Sequence, residues 1–522
     1  MKNNLLFKSL FFFVIIFLYY LTGVTDNLGL YGDDAGYIIW AKSILNGGWL
    51  DYINEPEPRP AGYNIFVLPL FLSLIMRFSN DVFYLKLVPL FFSAASIIII
   101  FFSLKKLKFK NNIPLIVSFM MLFNGLFFEY SHQIMAENIM LFFVFLAFIS
   151  LEKFNESPQI INLYAVFSVF ACYAAFFSRT AGIAIIFTAI LYFFIKKNLK
   201  KTFSVIFLLF FFFGIYLWAL KITGKSTGSG GSMYLNILKM KSQYLPEAGD
   251  RGSLEIIKDS FRKLAVYSLR LTADAAYYPA FKKIKPEIKS PYFLSQIMLG
   301  AIISFLVVCG LFSRIVHKNK DAKIFLKVES SAEIYFIITI AILMLWQIYS
   351  SRYLLAVLPL IFAYALTGAF KILDKKIFFW KFFAYSIIIC GFLNQLIIVY
   401  YEKNNIIPQE WKNYYVALEK IQELEFGKSE SIVIACRKPT SYYVKSGYEF
   451  KTIGYPMLNN PDDTHKFMRK YKVKYIVKDN FFISGSDTSK QYLTPYIAKY
   501  ASLLSEIYRS PDGETILYVF KN

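Results

Sequence analysis

Histidine and cysteine are scarce in this chain, with three and four residues respectively among 522. His132, His317 and His465 lie in distant parts of the sequence, so neither a histidine-built zinc site nor a Ser-His-Asp triad has support. Cys172, Cys309 and Cys390 sit inside apolar runs and Cys436 in the tail, with no Cys-x-x-Cys spacing. That excludes a disulfide framework and a paired-thiolate metal site and leaves them as packing residues. Acidic residues are also few: 35 against 57 Lys and Arg give a formal net charge of +22. The lysines cluster between apolar runs and form no single basic face, which speaks against nucleic acid as a partner. No internal repeat is visible, which weakens the case for an inverted-repeat transporter.

Apolar and aromatic residues fill the space. The chain is 57% hydrophobic and 19% aromatic, with 56 Phe and 38 Tyr, and its mean hydropathy is +0.46. Repeated apolar runs approach the roughly 20 residues needed to cross a bilayer, so the fold class is a polytopic α-helical membrane protein. The first run, 6–24, follows Lys2 and Lys8 and reads as a retained anchor with a cytoplasmic N-terminus. Further spans are expected near 82–104, 113–130, 134–151, 162–178, 180–195, 203–221, 292–312, 333–349, 353–370 and 382–400. The segment 63–78 is too short for a confident crossing and reads as a juxtamembrane helix.

Charge orients these spans. Lys105, Lys106, Lys108 and Lys110, then Lys196, Lys197, Lys200 and Lys201, then Arg314 and Lys318, then Lys371, Lys375, Lys376 and Lys381 fall on one side. Short loops on the other side carry only Arg179 and Arg352 as cations. This is the positive-inside pattern, and it gives about eleven spans in an inner or plasma membrane with the C-terminus extracytoplasmic. Residues 1–401 then form the membrane domain, with outer loops at 26–64 and 221–290.

In the second outer loop, the Gly- and Ser-rich stretch from Thr223 reads as a flexible hinge. Its Gly-Lys-Ser-Thr is not a phosphate loop, because Ala219 stands where the required first glycine would be. Ile256, Ile257, Phe261, Leu264 and Tyr267 at helical spacing, with Lys258, Arg262, Lys263 and Arg270 between, suit an interfacial helix on anionic lipid. From 402 to 522 the composition is that of a soluble α/β domain. Helices are expected over 411–424 and 462–471, strands at 431–435 and 474–477, and a terminal hairpin turns at Asp512-Gly513. Asp462, Asp463 and His465 fit a helix cap better than a metal site.

The chemistry gathers at the outer ends of spans: Asp33, Asp34, Arg59, Glu129, His132, Glu137, Arg179 and Arg352. Arginine forks bind phosphate oxygens, and carboxylates act as a base or hold a divalent cation. Plainer readings stand beside these. Asp33 and Asp34 also suit the N-cap of a helix starting near Ala35, and Arg179 and Arg352 suit snorkelling anchors at the membrane boundary.

The order of short motifs carries a family resemblance. Gly32-Asp33-Asp34-Ala35-x-Tyr37 resembles the acidic motif in the first outer loop of GT-C membrane glycosyltransferases. Arg59-Pro60-Ala61-Gly62-Tyr63, His132-x4-Glu137, Ser178-Arg179-Thr180-Ala181-Gly182 and Ser351-Arg352-Tyr353-Leu354-x4-Pro359 extend the likeness over residues 1 to about 370. The protein O-mannosyltransferase and aminoarabinose-transferase branch is the most similar. The resemblance implies inverting transfer of a sugar from a polyprenyl-phosphate carrier to a lipid, protein or glycan acceptor on the outer face. It implies Asp33 as general base, and Asp34 and Glu137 as residues orienting the acceptor or a cation such as Mg or Mn. It also implies Arg59, Arg179 and Arg352 as carrier-phosphate ligands. A flippase of lipid-linked sugars and an oligosaccharide transferase or ligase are the competing readings.

Overall fold

Every apolar run becomes helical in the computed structural model, which describes residues 2–29, 32–62, 65–110, 112–223, 238–241, 249–277, 292–318, 324–326, 328–346, 348–372, 377–427, 432–481 and 487–521. The first helices are α1 (Lys2–Leu21), α2 (Asp33–Leu45), α3 (Val67–Met76), α4 (Val82–Lys106), α5 (Ile113–Leu122) and α6 (Gly125–Ser131). Next come α7 (Glu137–Glu156), α8 (Leu163–Ser178), α9 (Ile183–Ile195), α10 (Leu199–Ile222), α11 (Ser253–Val266) and α12 (Thr272–Tyr277). The helical part ends with α13 (Tyr292–Ile315), α14 (Ser331–Leu345), α15 (Leu358–Ile372) and α16 (Ile377–Lys403). Among the described residues, α4, α10, α13 and α16 are long and apolar enough to cross a bilayer, and α5 with α6 adds a fifth if the bent pair is one span. The eleven expected crossings are thus helical, but only those combine spanning length with sufficient hydropathy.

The run expected as one span over 113–130 is broken, with 58° between α5 and α6. Asn124 is the cause. Its Oδ1 accepts from Phe127 N at 2.9 Å, capping α6, and its Nδ2 donates to Ala275 O at 2.8 Å. A side chain that caps a new helix ends the old one.

Close packing depends on small residues. A Cβ on Gly310 of α13 would lie 1.9 Å from Tyr364 O of α15, and one on Gly368 would lie 2.1 Å from Leu306 O. The two backbones touch because neither position carries a side chain. Between α4 and α7 the contact includes polar bonds: Asn138 Nδ2 donates to Ser93 Oγ at 2.7 Å, and Ser96 Oγ donates to Asn138 O at 3.2 Å. Phe203, Phe207, Phe210 and Phe211 of α10 all point outward and are exposed. Such a continuous apolar face is what a lipid-facing helix presents. On α11, Leu254, Ile257 and Phe261 are exposed beside Lys258 and Arg262, the two-sided pattern expected of an interfacial helix, while Lys263 is buried. Beyond Thr223, the expected hinge lies outside the described residues.

A short hairpin, β1 (Val316–Lys318) with β2 (Ile324–Leu326), follows α13. The tail holds α17 (Gln409–Glu425), β3 (Val433–Cys436), α18 (Pro439–Lys445), β4 (Lys451–Gly454), α19 (Pro461–Lys470), β5 (Tyr475–Lys478), α20 (Thr494–Lys499), β6 (Leu504–Arg509) and β7 (Ile516–Phe520). Its sheet runs β4-β3-β5-β7-β6, with β3 parallel to both neighbours and β7 antiparallel to β5 and β6. Alternation along β3 sends Ile434 and Cys436 into one core and Val433 and Ala435 into the other. The sheet is therefore covered on both faces, with α17 over the first and α19 and α20 over the second. The expected hairpin is present with Gly513 at φ 75°. The pattern reading did not separate α18 and β4, which are only seven and four residues long.

Candidate active site

The acidic pair opens α2, and the two carboxylates part ways there. The N-cap is Gly32, at φ 79° and without a side chain to cap, so neither aspartate is the cap that the sequence allowed. A left-handed residue at this point suits glycine, which has no Cβ to strain the backbone. Asp33 is left facing outward with its side chain 43% exposed, and it accepts from Arg352 Nη1 at 3.1 Å. Asp34, one residue on, is wholly buried. Its Oδ2 accepts from Gly29 N at 3.2 Å and Ile134 N at 3.0 Å. Burial pushes its carboxyl above the usual range, and the Ile134 amide and the Lys86 ammonium oppose that. Asp34 is thus a tie between α2, the chain after α1 and the approach to α7.

Glu137 is the first residue of α7, where the helix dipole favours a carboxylate. It pairs with Arg179 Nη1 at 2.9 Å, and both side chains are largely sealed, 3% and 17% exposed. Beyond that pair, neither Glu137 oxygen has a hydrogen-bond partner among the described residues. Arg179 ends α8 in extended conformation and enters a single 3-10 turn, Thr180–Gly182. That turn folds so tightly that a Cβ on Gly182 would fall 2.4 Å from Ala175 O. Arg352 sits on another 3-10 turn, Ser351–Ala356, between α14 and α15. Its Nη2 donates to Tyr353 OH at 3.3 Å, and its guanidinium lies 5.1 Å from the centre of that ring.

Tyr37 stands among these groups. One turn after Asp33 and buried, its phenol lies in the combined field of Arg179, Glu137, Asp33 and Arg352. Burial raises its pKa, which keeps it a neutral hydrogen-bond donor. Tyr353 shares the neighbourhood of both arginines, and Tyr130 that of Arg352. Lys438, from the tail, lies in the electrostatic field of Asp33 and Arg352. The spacing Asp33-x3-Tyr37 was readable in the sequence; Lys438 carried no local signal.

Two candidates lie elsewhere. Arg59 makes a bidentate pair with Glu55, at 2.7 and 2.9 Å, and packs over Tyr52 with its side chain 63% exposed. Its electrostatic neighbours are Glu55, Tyr52 and Tyr471, so the structure does not bring it to the Asp33 and Glu137 cluster. His132 is buried, with Nε2 2.7 Å from Tyr20 O and Nδ1 2.7 Å from Phe128 O, which makes it a packing residue. The expected cation ligands also fail to combine. Asp34 Oδ2 accepts from two backbone amides, while its Oδ1 has no hydrogen-bond partner among the described residues, and Glu137 pairs with Arg179. Among the described residues no three His, Cys, Asp or Glu side chains gather as a metal site. A dication set among Arg179, Arg352 and Lys438 would add repulsion with too few oxygen donors to offset it, so this donor set does not fit a protein-held metal.

The sequence matches no family model and no curated protein. Solved structures do match. The oligosaccharyltransferase AglB from Archaeoglobus fulgidus, in complex with an inhibitory peptide and a dolichol-phosphate, aligns at TM-score 0.51 and 14% identity, over 98% of this chain and 74% of that one. ArnT from Cupriavidus metallidurans, bound to undecaprenyl phosphate, aligns at TM-score 0.53 and 9% identity, over 99% of this chain and 98% of that one. Both are GT-C glycosyltransferases, and the chain has their fold.

Proposed function

We propose that this GT-C-fold chain transfers a sugar from a polyprenyl-phosphate carrier to a hydroxyl acceptor at the outer face of the membrane, with inversion and with Asp33 as general base. The observation that carries this reading is the pairing of Asp33 with Arg352 and Glu137 with Arg179 around the phenol of Tyr37, where apolar helices end. The ArnT and AglB structures hold undecaprenyl phosphate and dolichol-phosphate, which supports a polyprenyl phosphate as the donor's carrier.

The chemistry follows from charge. The acceptor oxygen attacks the anomeric carbon as its proton passes to an Asp33 carboxylate oxygen. The bond from that carbon to the phosphate oxygen breaks, its electron pair stays on the phosphate, and the carrier leaves as a monoester with one more negative charge. A phosphate is already a good leaving group, so the requirement is stabilisation of that growing charge and no strong acid. Arg179 and Arg352 supply it as fixed donors in a partly dehydrated site. Incoming phosphate competes with Asp33 for Arg352, which turns the carboxylate toward its role as base. Beside Arg179 runs an aromatic row: Phe177 lies 4.7 Å from Phe66 and 4.8 Å from Tyr216, and Trp49 lies 5.4 Å from Phe66, centre to centre. It offers the isoprenoid chain an apolar approach to the cations. The lysine-rich loops set this side outward by the positive-inside rule.

The test is turnover by Asp33→Asn with a radiolabelled lipid-linked sugar. Near-normal transfer by that variant would remove Asp33 as base. Comparing the surface glycans of a deletion strain with its parent by mass spectrometry identifies the sugar and acceptor together.

A further inference from the structure

The tail meets the helical part at the start of the acidic helix and along outer loop 1. Thr440 Oγ1 donates to Gly32 O at 3.4 Å. Thr452 N donates to Asn54 O at 2.8 Å, Asn54 Nδ2 returns a bond to Thr452 O at 3.1 Å, and Lys451 Nζ donates to Ile53 O at 2.7 Å. The Lys42 ammonium lies 3.2 Å from the centre of the Tyr448 ring. Tyr443 and Val444 of α18 belong to the core of the helical part. This seam is continuous, and it delivers Lys438 to the site.

Lys438 is anchored from within the tail, where its backbone N donates to Tyr414 OH at 2.9 Å. Its side chain then crosses the seam: Cδ lies 3.5 Å from where a Cβ on Gly32 would stand, one residue before Asp33. The charged groups facing it are Asp33 and Asp479 as anions and Arg437 and Arg352 as cations. Asp479 and Arg437 are both buried and pair with each other at 3.6 Å, which balances them inside the tail. Asp33 and Glu137 are likewise matched by Arg352 and Arg179. Lys438 therefore adds a further cation beside Arg352 and Arg179, which favours an anionic ligand. A lysine suits the place, because its compact charge on a flexible stem can follow a phosphate as a bond breaks. Burial weakens its ammonium, and Asp33 foremost opposes that.

We infer that Lys438 is a phosphate-binding residue of the transfer site, contributed across the seam by the tail domain. This rests on the glycosyl-transfer reading above. It makes the tail part of the site, and Gly32, at φ 79°, lies against it: a Cβ there would stand 3.2 Å from Ser441 Oγ and 3.5 Å from Lys438 Cδ.

The experiment uses the full chain in lipid nanodiscs and measures binding of undecaprenyl phosphate, with uncharged undecaprenol as the control probe. The variants are Lys438→Met, Lys438→Arg and Lys451→Met, the last a seam lysine whose ammonium bonds Ile53 O. The expected result is that Lys438→Met weakens undecaprenyl phosphate binding about tenfold, in the range of a lost charge-assisted contact. Donor KM rises in parallel, undecaprenol binding is unchanged, Lys438→Arg recovers most of the loss, and Lys451→Met has no effect on binding. Equal phosphate binding by wild type and Lys438→Met overturns the assignment, as does an equal loss for undecaprenol, which would mark lost packing. Lys438-dependent phosphate binding without sugar transfer by the wild type overturns the glycosyltransferase reading and leaves the assignment standing. Transfer that is indifferent to Lys438 does the reverse.

Discussion

Two arginine-carboxylate pairs at opposite ends of the helical part are built on opposite principles. Arg314, at the end of α13, donates from Nε to Glu333 Oε1 at 2.5 Å and from Nη2 to Leu107 O at 2.8 Å, and it pairs with Glu329 at 3.2 Å. The other Glu333 oxygen accepts from Ser330 N at 2.8 Å and Ser330 Oγ at 2.7 Å, which caps α14. Both side chains are sealed, at 6% and 0% exposed. Arg352 and Asp33 share one bond at 3.1 Å with the carboxylate open to one side. A saturated pair has nothing to offer a ligand and serves to lock helices, whereas an undersatisfied, half-open pair keeps capacity that a substrate can take up. Asp33 and Asp34 differ in exposure in the same way, with Asp33 half open and Asp34 buried.

The largest effect is expected from Asp33→Asn. With the carboxamide unable to take a proton, transfer should fall about 10³-fold, within the range for loss of a general base. The melting temperature should hold, because the Asp33 side chain is half in solvent. Replacing Arg352 or Arg179 by Met should cost about 10²-fold in turnover, the scale of one charge-stabilising donor. The double variant should lose less than the product, since both act on one phosphate. If Arg352→Met keeps full turnover while Arg314→Met loses it, the division between open and locked pairs is wrong.

At the locked end the expected change is in stability. Glu333→Ala leaves Arg314 buried among backbone carbonyls without its main counter-charge and should cost about 3–5 kcal/mol. Thermal unfolding in detergent reads this, and turnover per folded molecule should stay within about twofold. Glu333 and Arg314 also show where the sequence stopped being readable. Arg314 reads as one more cation of an inner loop, and only the folded α13 and α14 reveal that it is buried. Asp33, Glu137, Arg179 and Arg352 were legible because each closes an apolar run, where a charge must find water, a partner or a ligand. The burial of Asp34 was not legible, since it depends on Ile134 reaching it across 100 residues of chain. Lys438 lay further beyond reach, because it enters the site through a contact with Gly32 over 400 residues away in sequence. In the tail, α17, α19 and the Asp512-Gly513 hairpin announced themselves by period and turn chemistry, while seven-residue α18 and four-residue β4 had too little pattern to do so.

The smallest effect is expected where motif order and structure part, at Arg59. By its place in the motif series it belongs with the carrier phosphate. Its partner was nonetheless visible in the sequence four residues earlier, and Glu55 takes both arms of the fork. The Arg59 arm of the pair is largely in solvent, so breaking it should change stability by no more than about 1 kcal/mol. Arg59→Ala should therefore leave sugar transfer within about twofold of wild type, measured beside Arg352→Met under the same donor concentrations. A loss at Arg59 as large as at Arg352 would mean that the outer loop swings Arg59 from Glu55 onto the phosphate during the reaction. The half-open pair at Asp33 would then be one of two such reserves, and exposure alone would no longer tell a poised cation from a solvated one.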